Sequence, residues 1–112
     1  MLKSQTINNI IVVSFSDTTR FNAMIAEPVK ENLLEYFHKP NVRLILDLKN
    51  IQFIDSSGFG VFLSAMKAAN SNKGKFKICN VGKEVMELFK LLQLHNVFEI
   101  YDSLDECVRS FE

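Results

Sequence analysis

The segment 42–48, VRLILDL, constrains the fold more than any other part of the chain. It is an almost unbroken apolar run in which branched side chains predominate. A strand with one face in water alternates apolar and polar residues, whereas a continuous apolar run suits a strand that is covered on both faces. Helices commonly provide that cover, so the segment predicts a central strand of an α/β fold.

The rest of the chain alternates between strand and helix patterns. Strand-like segments lie at 3–7, 10–15, 75–79 and 98–101. Apolar residues three and four positions apart predict helices over about 25–38, 57–70, 85–92 and 104–111. Strands separated by helices need crossover connections, which make a sheet mostly parallel. We therefore predict a single-domain α/β sandwich over residues 1–112, with a mixed sheet, an N-terminal hairpin and about four helices.

Several turn and cap residues refine this prediction. Asn8 and Asn9 separate the first two strands, and asparagine tolerates the positive φ of a tight hairpin turn. Pro28 is expected in the first turn of the first helix, where its missing N–H costs nothing. Asp102 or Ser103 is expected to cap the last helix.

The composition argues against several classes of function. Thirteen basic residues balance thirteen acidic ones, so there is no general attraction to nucleic acid or to an anionic membrane. No segment approaches the roughly 20 apolar residues that span a bilayer. The apolar run 10–13 is too short for a signal peptide. We expect a cytoplasmic protein that binds neither nucleic acid nor membranes.

The cysteines and histidines give no sign of a metal site or a cofactor. Cys79 and Cys107 lie far apart in the sequence and belong to no C-x-x-C pair, so we expect reduced, partly buried thiols. His38 and His95 lack metal-ligand spacing with each other or with either cysteine. Both are interpreted as surface or partly buried structural residues.

The segment 54–60, IDSSGFG, joins an apolar segment to a predicted helix. Asp55 or Ser56 can cap the first N–H groups of that helix, which alone explains an acid and a serine there. Gly58 and Gly60 each cost up to about 1 kcal/mol of helix stability, and they leave the backbone open to another molecule. A phosphate on a free serine here would be favoured by the helix N-terminus and opposed by Asp55.

Other chemistries fit this segment less well. The serines follow an aspartate rather than the glycine of a G-x-S-x-G motif, and there is no phosphate-binding G-x-x-x-x-G-K-[ST] loop. Asp47 follows an apolar strand, but the acidic pair of a phospho-accepting aspartate site is missing, so we interpret it as a strand-end surface residue. We do not expect an enzyme.

Three segments resemble a known family. VRLILDLKNIQFIDSSGFGVFLSAMKAA closely resembles the central segment of the STAS domain of bacterial anti-sigma factor antagonists. RFNAMIAEPVKENL is similar to the stretch that leads into the first helix of that family. GKFKICNVGKEVMELFKLLQLHNVFEIYDSLDECV is similar to its closing β-α-β-α run. The resemblance covers about residues 10–111.

The resemblance implies a phosphorylation switch in a transcription regulator. In the family, the serine directly after the aspartate, here Ser56, is phosphorylated by a partner that is both an anti-sigma factor and a serine kinase. The unphosphorylated domain binds that partner and so frees a sigma factor, and the phosphorylated domain releases it. A serine phosphatase resets the switch. Added charge of roughly −2 at a contact surface agrees with this behaviour.

This sequence departs from the family pattern at three positions. Asn22 stands where the family often has an aspartate, so a negative charge near Ser56 is lost. Arg20 stands where an uncharged or acidic residue is usual. Gln93 occupies a helix-end position at which the family commonly has glycine.

We expect the partner surface to combine the loop before the first helix with the exposed side of the second. The expected contact residues are Asn22, Asp55, Ser57, Gly58, Val61, Ser64 and Lys67. The apolar stripe on the same helix is expected in the core and comprises Phe59, Phe62, Leu63 and Met66.

Two further hypotheses remain open at this stage. The chain could be a STAS-type interaction module that is not phosphorylated and acts as a scaffold in a signalling or transport complex. It could also be an α/β enzyme or nucleotide-binding protein, but its sequence shows no catalytic constellation.

Overall fold

The structure is a computed structural model that describes residues 2–112. The elements, in chain order, are β1 (Leu2–Ile7), β2 (Ile10–Phe15), β3 (Arg20–Phe21), α1 (Ala23–Tyr36), β4 (Arg43–Asp47), β5 (Phe53–Ile54), α2 (Ser56–Ser71), β6 (Lys75–Cys79), α3 (Lys83–Leu91), β7 (Glu99–Tyr101) and α4 (Leu104–Arg109). The main sheet has the order β1-β2-β4-β6-β7. Only the β1–β2 pair is antiparallel. The predicted α/β class, mixed sheet and four helices are confirmed.

β4 is the central strand, as the apolar run predicts. Leu44, Ile45 and Leu46 are fully buried, although successive side chains point to opposite faces of the sheet. Leu44 and Leu46 belong to the larger core under α1, α2 and α3. Ile45 belongs to a smaller core under α4. The sheet is therefore covered unequally, by three helices on one face and one short helix on the other.

The opening hairpin turns at the two predicted asparagines. Asn8 and Asn9 have φ values of 51° and 65°, the left-handed pair that a two-residue hairpin turn requires. β1 pairs with β2 along its whole length and forms one edge of the main sheet. Ser103 caps α4 by accepting a hydrogen bond from the Glu106 N–H, at 3.1 Å.

The expected position of Pro28 is wrong. α1 begins at Ala23, two residues before the predicted start, so Pro28 lies inside the helix rather than in its first turn. The helix starts early because Asn22 caps it. Pro28 is exposed and has no N–H, so the backbone carbonyl of Met24 lacks its helical hydrogen-bond donor. Met24 is itself 87% exposed. Solvent can hydrate a carbonyl on this side of the helix, which limits the cost of the proline.

Two short strands were not predicted. β3 and β5 have two residues each and pair in parallel, with Phe21 opposite Ile54. Period-two alternation cannot be recognised in two residues, and the sequence pattern assigned residues 16–22 to a polar loop.

The C-terminal end of α3 shows the effect of having Gln93 at a position where the family commonly has glycine. The Gln93 N–H donates to the Lys90 carbonyl and the Leu94 N–H donates to the Phe89 carbonyl, which is the Schellman pattern of helix termination. Gln93 has a φ of 58°, so it adopts the left-handed conformation in which a side chain is disfavoured. The helix end therefore stores strain that a glycine would relieve.

Replacing Gln93 with glycine should stabilise the protein. We expect the free energy of unfolding to rise by about 0.5–1 kcal/mol, because the left-handed strain exceeds the entropy cost of a glycine. Urea denaturation measures the change. The matched control is Glu87→Gly, at an exposed helical position of α3, which should lose about 1 kcal/mol. A loss of stability in both variants would contradict the strain assigned to Gln93.

Candidate functional site

The site is built where two helices begin side by side. β3 and β5 run parallel with Phe21 opposite Ile54. Both residues are buried, and each is followed by the N-cap of a helix, Asn22 for α1 and Asp55 for α2. The strand pairing therefore brings both N-caps to one place, at the carboxyl end of this separate two-stranded sheet. The first N–H groups of both helices, which carry partial positive charge and have no partner within their own helix, converge there.

The Asp55 carboxylate caps both helices. Its Oδ1 atom accepts a hydrogen bond from the Gly58 N–H at 3.2 Å, within α2. Its Oδ2 atom accepts one from the Ala23 N–H at 3.1 Å, at the start of α1. The backbone N–H of Asp55 also donates to the Phe21 carbonyl at 3.2 Å. One side chain thus satisfies orphan donors of two helices and fixes their relative position.

Asn22 has a smaller role in the same place. Its Oδ1 atom accepts a hydrogen bond from the Met24 N–H at 3.0 Å, so it caps α1 alone. An asparagine at this position keeps the cap that an aspartate would make, and it leaves Asp55 as the carboxylate between the two helix starts. The chain lacks the second negative charge that an aspartate would bring.

Ser56 is the first residue of α2 and is exposed. Asp55 makes the cap, so neither Ser56 nor Ser57 is needed for capping. Ser57 is half-buried and faces the groove between α1 and α2. The Ser56 hydroxyl can therefore be reached from solvent and modified without removing a hydrogen bond that holds the helix start.

The two glycines of α2 serve different purposes. A Cβ atom on Gly58 would lie 2.6 Å from Cγ2 of Ile54 and 3.1 Å from the Phe21 carbonyl oxygen. Gly58 is buried, so its expected position at the surface is wrong: its backbone approaches β3 and β5 instead. A Cβ atom on Gly60 would meet nothing within 4 Å. Gly60 is the glycine that leaves backbone open at the surface.

The expected exposure of Val61 is also wrong. Val61 is 4% exposed and belongs to the larger core. α2 packs against α1 as well as the sheet, so it buries a wider arc than a single stripe. Conversely, Leu63 is 40% exposed, although it was expected in the core. Phe59 and Phe62 are buried and Met66 is partly buried against the same core, as predicted.

Two grooves flank the start of α1. A groove of about 390 Å³ separates α1 from α2 and is lined by Ser57, Gly60 and Ser64 on the α2 side. A larger one of about 750 Å³ lies across Asn22, and its lining residues include Arg20, Met24 and Lys49. Of the remaining predicted contact residues, Lys67 is exposed on α2. The structure therefore keeps Asn22, Asp55, Ser57, Ser64 and Lys67 as surface candidates.

Sequence reasoning missed two exposed apolar residues beside this site. Met24 follows the cap of α1 and is 87% exposed, and Phe53 in β5 is 36% exposed. The Arg20 guanidinium lies 4.4 Å from the centroid of the Phe53 ring, close enough for a cation–π contact. In the sequence, the only indication that these two residues belong to the site is that each lies within three residues of an N-cap.

Neither a metal cluster nor a membrane span is found in residues 2–112. No group of three or more His, Cys, Asp or Glu side chains in that range could hold a metal ion. No helix among the same residues is long and apolar enough to cross a bilayer. Asp47 ends β4, and its Oδ1 atom accepts hydrogen bonds from the Lys49 N–H and from Nδ2 of Asn80, at 2.9 and 3.1 Å. Its carboxylate is therefore used in the loop that follows the strand.

The sequence profile of the STAS domain matches residues 2–107. The chain belongs to the STAS domain family. An anti-sigma F factor antagonist of Paenibacillus polymyxa is 40% identical over 60 residues, which are 54% of this chain and 51% of that protein. An anti-sigma-B factor antagonist of Listeria monocytogenes is 30% identical over 79 residues, which are 70% of this chain and 69% of that protein. The match spans about half the length of the first relative.

Solved structures have the same fold. An anti-sigma-factor antagonist (STAS) domain protein from Planctomyces limnophilus superposes with a TM-score of 0.89 at 19% identity, covering 97% of this chain and 96% of that one. The Bacillus cell fate determinant SpoIIAA in its phosphorylated form superposes with a TM-score of 0.74 at 15% identity, covering 100% of both chains. At such low identities the likeness establishes the STAS fold.

Removing the Asp55 carboxylate should cost more stability than removing the Asn22 amide. Asp55→Ala deprives two helices of a cap and should lower the free energy of unfolding by about 2 kcal/mol, whereas Asn22→Ala should lower it by about 1 kcal/mol. Urea denaturation measures both. Amide hydrogen exchange should become faster at Ala23 as well as at Gly58 in the Asp55 variant. Equal costs for the two variants would show that Asp55 does not cap both helices.

The glycine pair in α2 allows a matched test of packing. Gly58→Ala should lower the free energy of unfolding by about 1–3 kcal/mol, because its methyl group overlaps Ile54. Gly60→Ala should raise it by up to about 1 kcal/mol, because alanine favours helix and nothing obstructs the methyl group. Thermal and urea unfolding measure both variants. The assignment fails if the two substitutions change stability in the same direction.

Proposed function

We propose that this STAS domain is an anti-sigma factor antagonist whose docking is switched by phosphorylation of Ser56. The observation that carries the proposal is the exposed position of Ser56 beside a carboxylate that already caps α2. The hydroxyl is accessible to a kinase and has no structural duty there. The two curated relatives described above are named anti-sigma factor antagonists, which supports the class of function.

The charges around Ser56 supply a physical basis for the switch. A phosphate adds a charge of roughly −2 and three acceptor oxygens at a helix N-terminus, where anions are favoured. Asp55 already accepts hydrogen bonds from the Ala23 and Gly58 N–H groups, so these two donors are not free for a phosphate. The phosphate therefore remains at the surface, where it repels acidic groups of a partner and must be desolvated when the partner binds. Docking weakens while the fold is kept.

The docking surface surrounds Ser56. We assign to it the predicted residues that reach the surface, together with the exposed apolar residues of the same region. The first group is Asn22, Asp55, Ser57, Ser64 and Lys67, and the second is Met24 and Phe53. Exposed apolar side chains next to charged ones are typical of a protein-binding patch. Gly58 and Val61 support this surface from beneath.

The partner of this domain is an anti-sigma factor that is also the serine kinase for Ser56, and a serine phosphatase reverses the modification. The domain acts by binding rather than by catalysis, and it works in the cytoplasm with its partners. SpoIIAA, which shares the fold, is known in a phosphorylated form. That precedent supports a phosphorylated state of this chain.

Incubation with ATP and the anti-sigma factor kinase of the same organism tests the modification. Intact mass spectrometry should show a single added phosphate on the unaltered chain and on Ser57→Ala, and none on Ser56→Ala. If the chain binds the partner tightly but is never modified, it is instead an unphosphorylated STAS scaffold. Addition of phosphate to Ser56→Ala would place the acceptor at another residue.

The phosphomimetic Ser56→Asp should weaken the complex without unfolding the domain. We expect the dissociation constant, measured by calorimetry, to rise at least about tenfold, because a charge is placed at the centre of the contact. Asn70→Asp is the matched control, since it adds the same charge at an exposed position near the other end of α2. That variant should bind normally.

Circular dichroism and urea unfolding distinguish loss of docking from loss of fold. Ser56→Ala should keep the free energy of unfolding within about 0.5 kcal/mol, because Asp55 makes the cap. A large loss of stability in Ser56→Ala would show that the hydroxyl is structural and would remove the basis of the proposal.

A further inference from the structure

The two cysteines, far apart in the sequence, meet in the fold. Cys79 is the last residue of β6 and Cys107 lies in α4, on the sheet face opposite α1, α2 and α3. Both are fully buried and are free thiols, which corrects the expected partial burial. Both belong to the same small core, and each is the largest influence on the pKa of the other. Two buried thiols that share one small core are candidates for disulfide formation.

The cover over this pair is thin. Among the described residues, the core that α4 covers has six buried members, two of them on α4 itself, and α4 has six residues. The Lys77 ammonium holds the end of the helix by donating to the Ser110 carbonyl at 3.3 Å and to the Ser110 hydroxyl at 2.9 Å. Because local opening requires the loss of few buried contacts, α4 should open far more readily than the larger core. Opening of α4 exposes both thiols at once.

We infer that Cys79 and Cys107 form a redox modification site, in which a peroxide oxidises the two thiols to a reversible intrachain disulfide. The Cys107 thiolate attacks one peroxide oxygen, which breaks the O–O bond and yields a sulfenic acid and hydroxide. The Cys79 sulfur then attacks the sulfenic sulfur, which forms the S–S bond and breaks the S–O bond. The departing hydroxyl takes the proton of the Cys79 thiol and leaves as water. The hydroxide takes up the proton that the Cys107 thiol lost on ionisation, so hydrogen peroxide is reduced to two molecules of water as the two thiols are oxidised.

The surroundings of the pair assign the two steps to different sulfurs. The neighbouring Cys79 thiol lowers the pKa of Cys107, and the positive charge of Lys77 acts in the same direction, against the effects of burial and of the Glu99 and Asp47 charges. The neighbouring Cys107 thiol, burial and the charge of Asp47 raise the pKa of Cys79. Cys107 is therefore the attacking thiol and Cys79 the resolving one.

Hydrogen peroxide and the intact chain test the inference. After a brief exposure, the protein is denatured, its free thiols are blocked with N-ethylmaleimide, and its mass is measured. We expect a monomer that is about 2 Da lighter than the reduced chain and carries no label, with one peptide pair joined through Cys79 and Cys107. Dithiothreitol should restore two labels. Two labels after exposure, crosslinked dimers or sulfinic acid as the main product would each overturn the inference.

Three variants complete the test. Cys79→Ser should stop at an oxidised Cys107, whereas Cys107→Ser should react more slowly at its remaining thiol. Ser110→Ala removes a hydrogen bond that holds α4 and should speed disulfide formation severalfold at the same peroxide concentration. Ser71→Ala, which loses a hydrogen bond on the other side of the sheet, should leave the rate unchanged. Equal rates in the Ser110 and Ser71 variants would overturn α4 opening as the route to the thiols.

Discussion

The carboxylate of Asp55 is the interaction on which the site depends. It accepts hydrogen bonds from the first turns of both α1 and α2, and the β3–β5 pair brings those two turns together. Each contact alone is an ordinary cap of modest energy. Their combination in one side chain makes the positions of Asn22 and Ser56 mutually dependent. A residue that sequence reasoning expects at a partner interface is therefore also the structural centre of the proposed docking surface.

Much of the fold can be predicted from the sequence because its signals are local. Periodicity identifies the strands of the main sheet and all four helices, and the apolar run around Leu44 to Leu46 identifies the strand covered on both faces. Turn chemistry is equally local, so Asn8 and Asn9 are found at the predicted turn, whereas the family resemblance indicates the helix-end position of the left-handed Gln93. The family resemblance rests on the same segments, and the STAS profile match over residues 2–107 confirms it.

What could not be predicted depends on contacts between distant segments. The sides of α2 cannot be assigned without knowing that α1 packs beside it, which is why Val61 and Leu63 exchange their expected environments. The same limit applies to Gly58, whose neighbours Phe21 and Ile54 come from two different strands. The meeting of Cys79 with Cys107 likewise requires knowledge of which face of the sheet α4 covers.

The outer border of the main sheet has a consequence for self-association. β1 is an edge strand of six residues, so one side of its backbone offers a row of hydrogen-bonding groups to any extended chain that approaches. Its side chains Lys3, Ser4, Gln5 and Thr6 are exposed and polar. If a second molecule paired with β1, little apolar surface would be buried and the ammonium group of Lys3 would be crowded. The polar composition of this border thus favours separate molecules at the high concentrations that otherwise promote fibres.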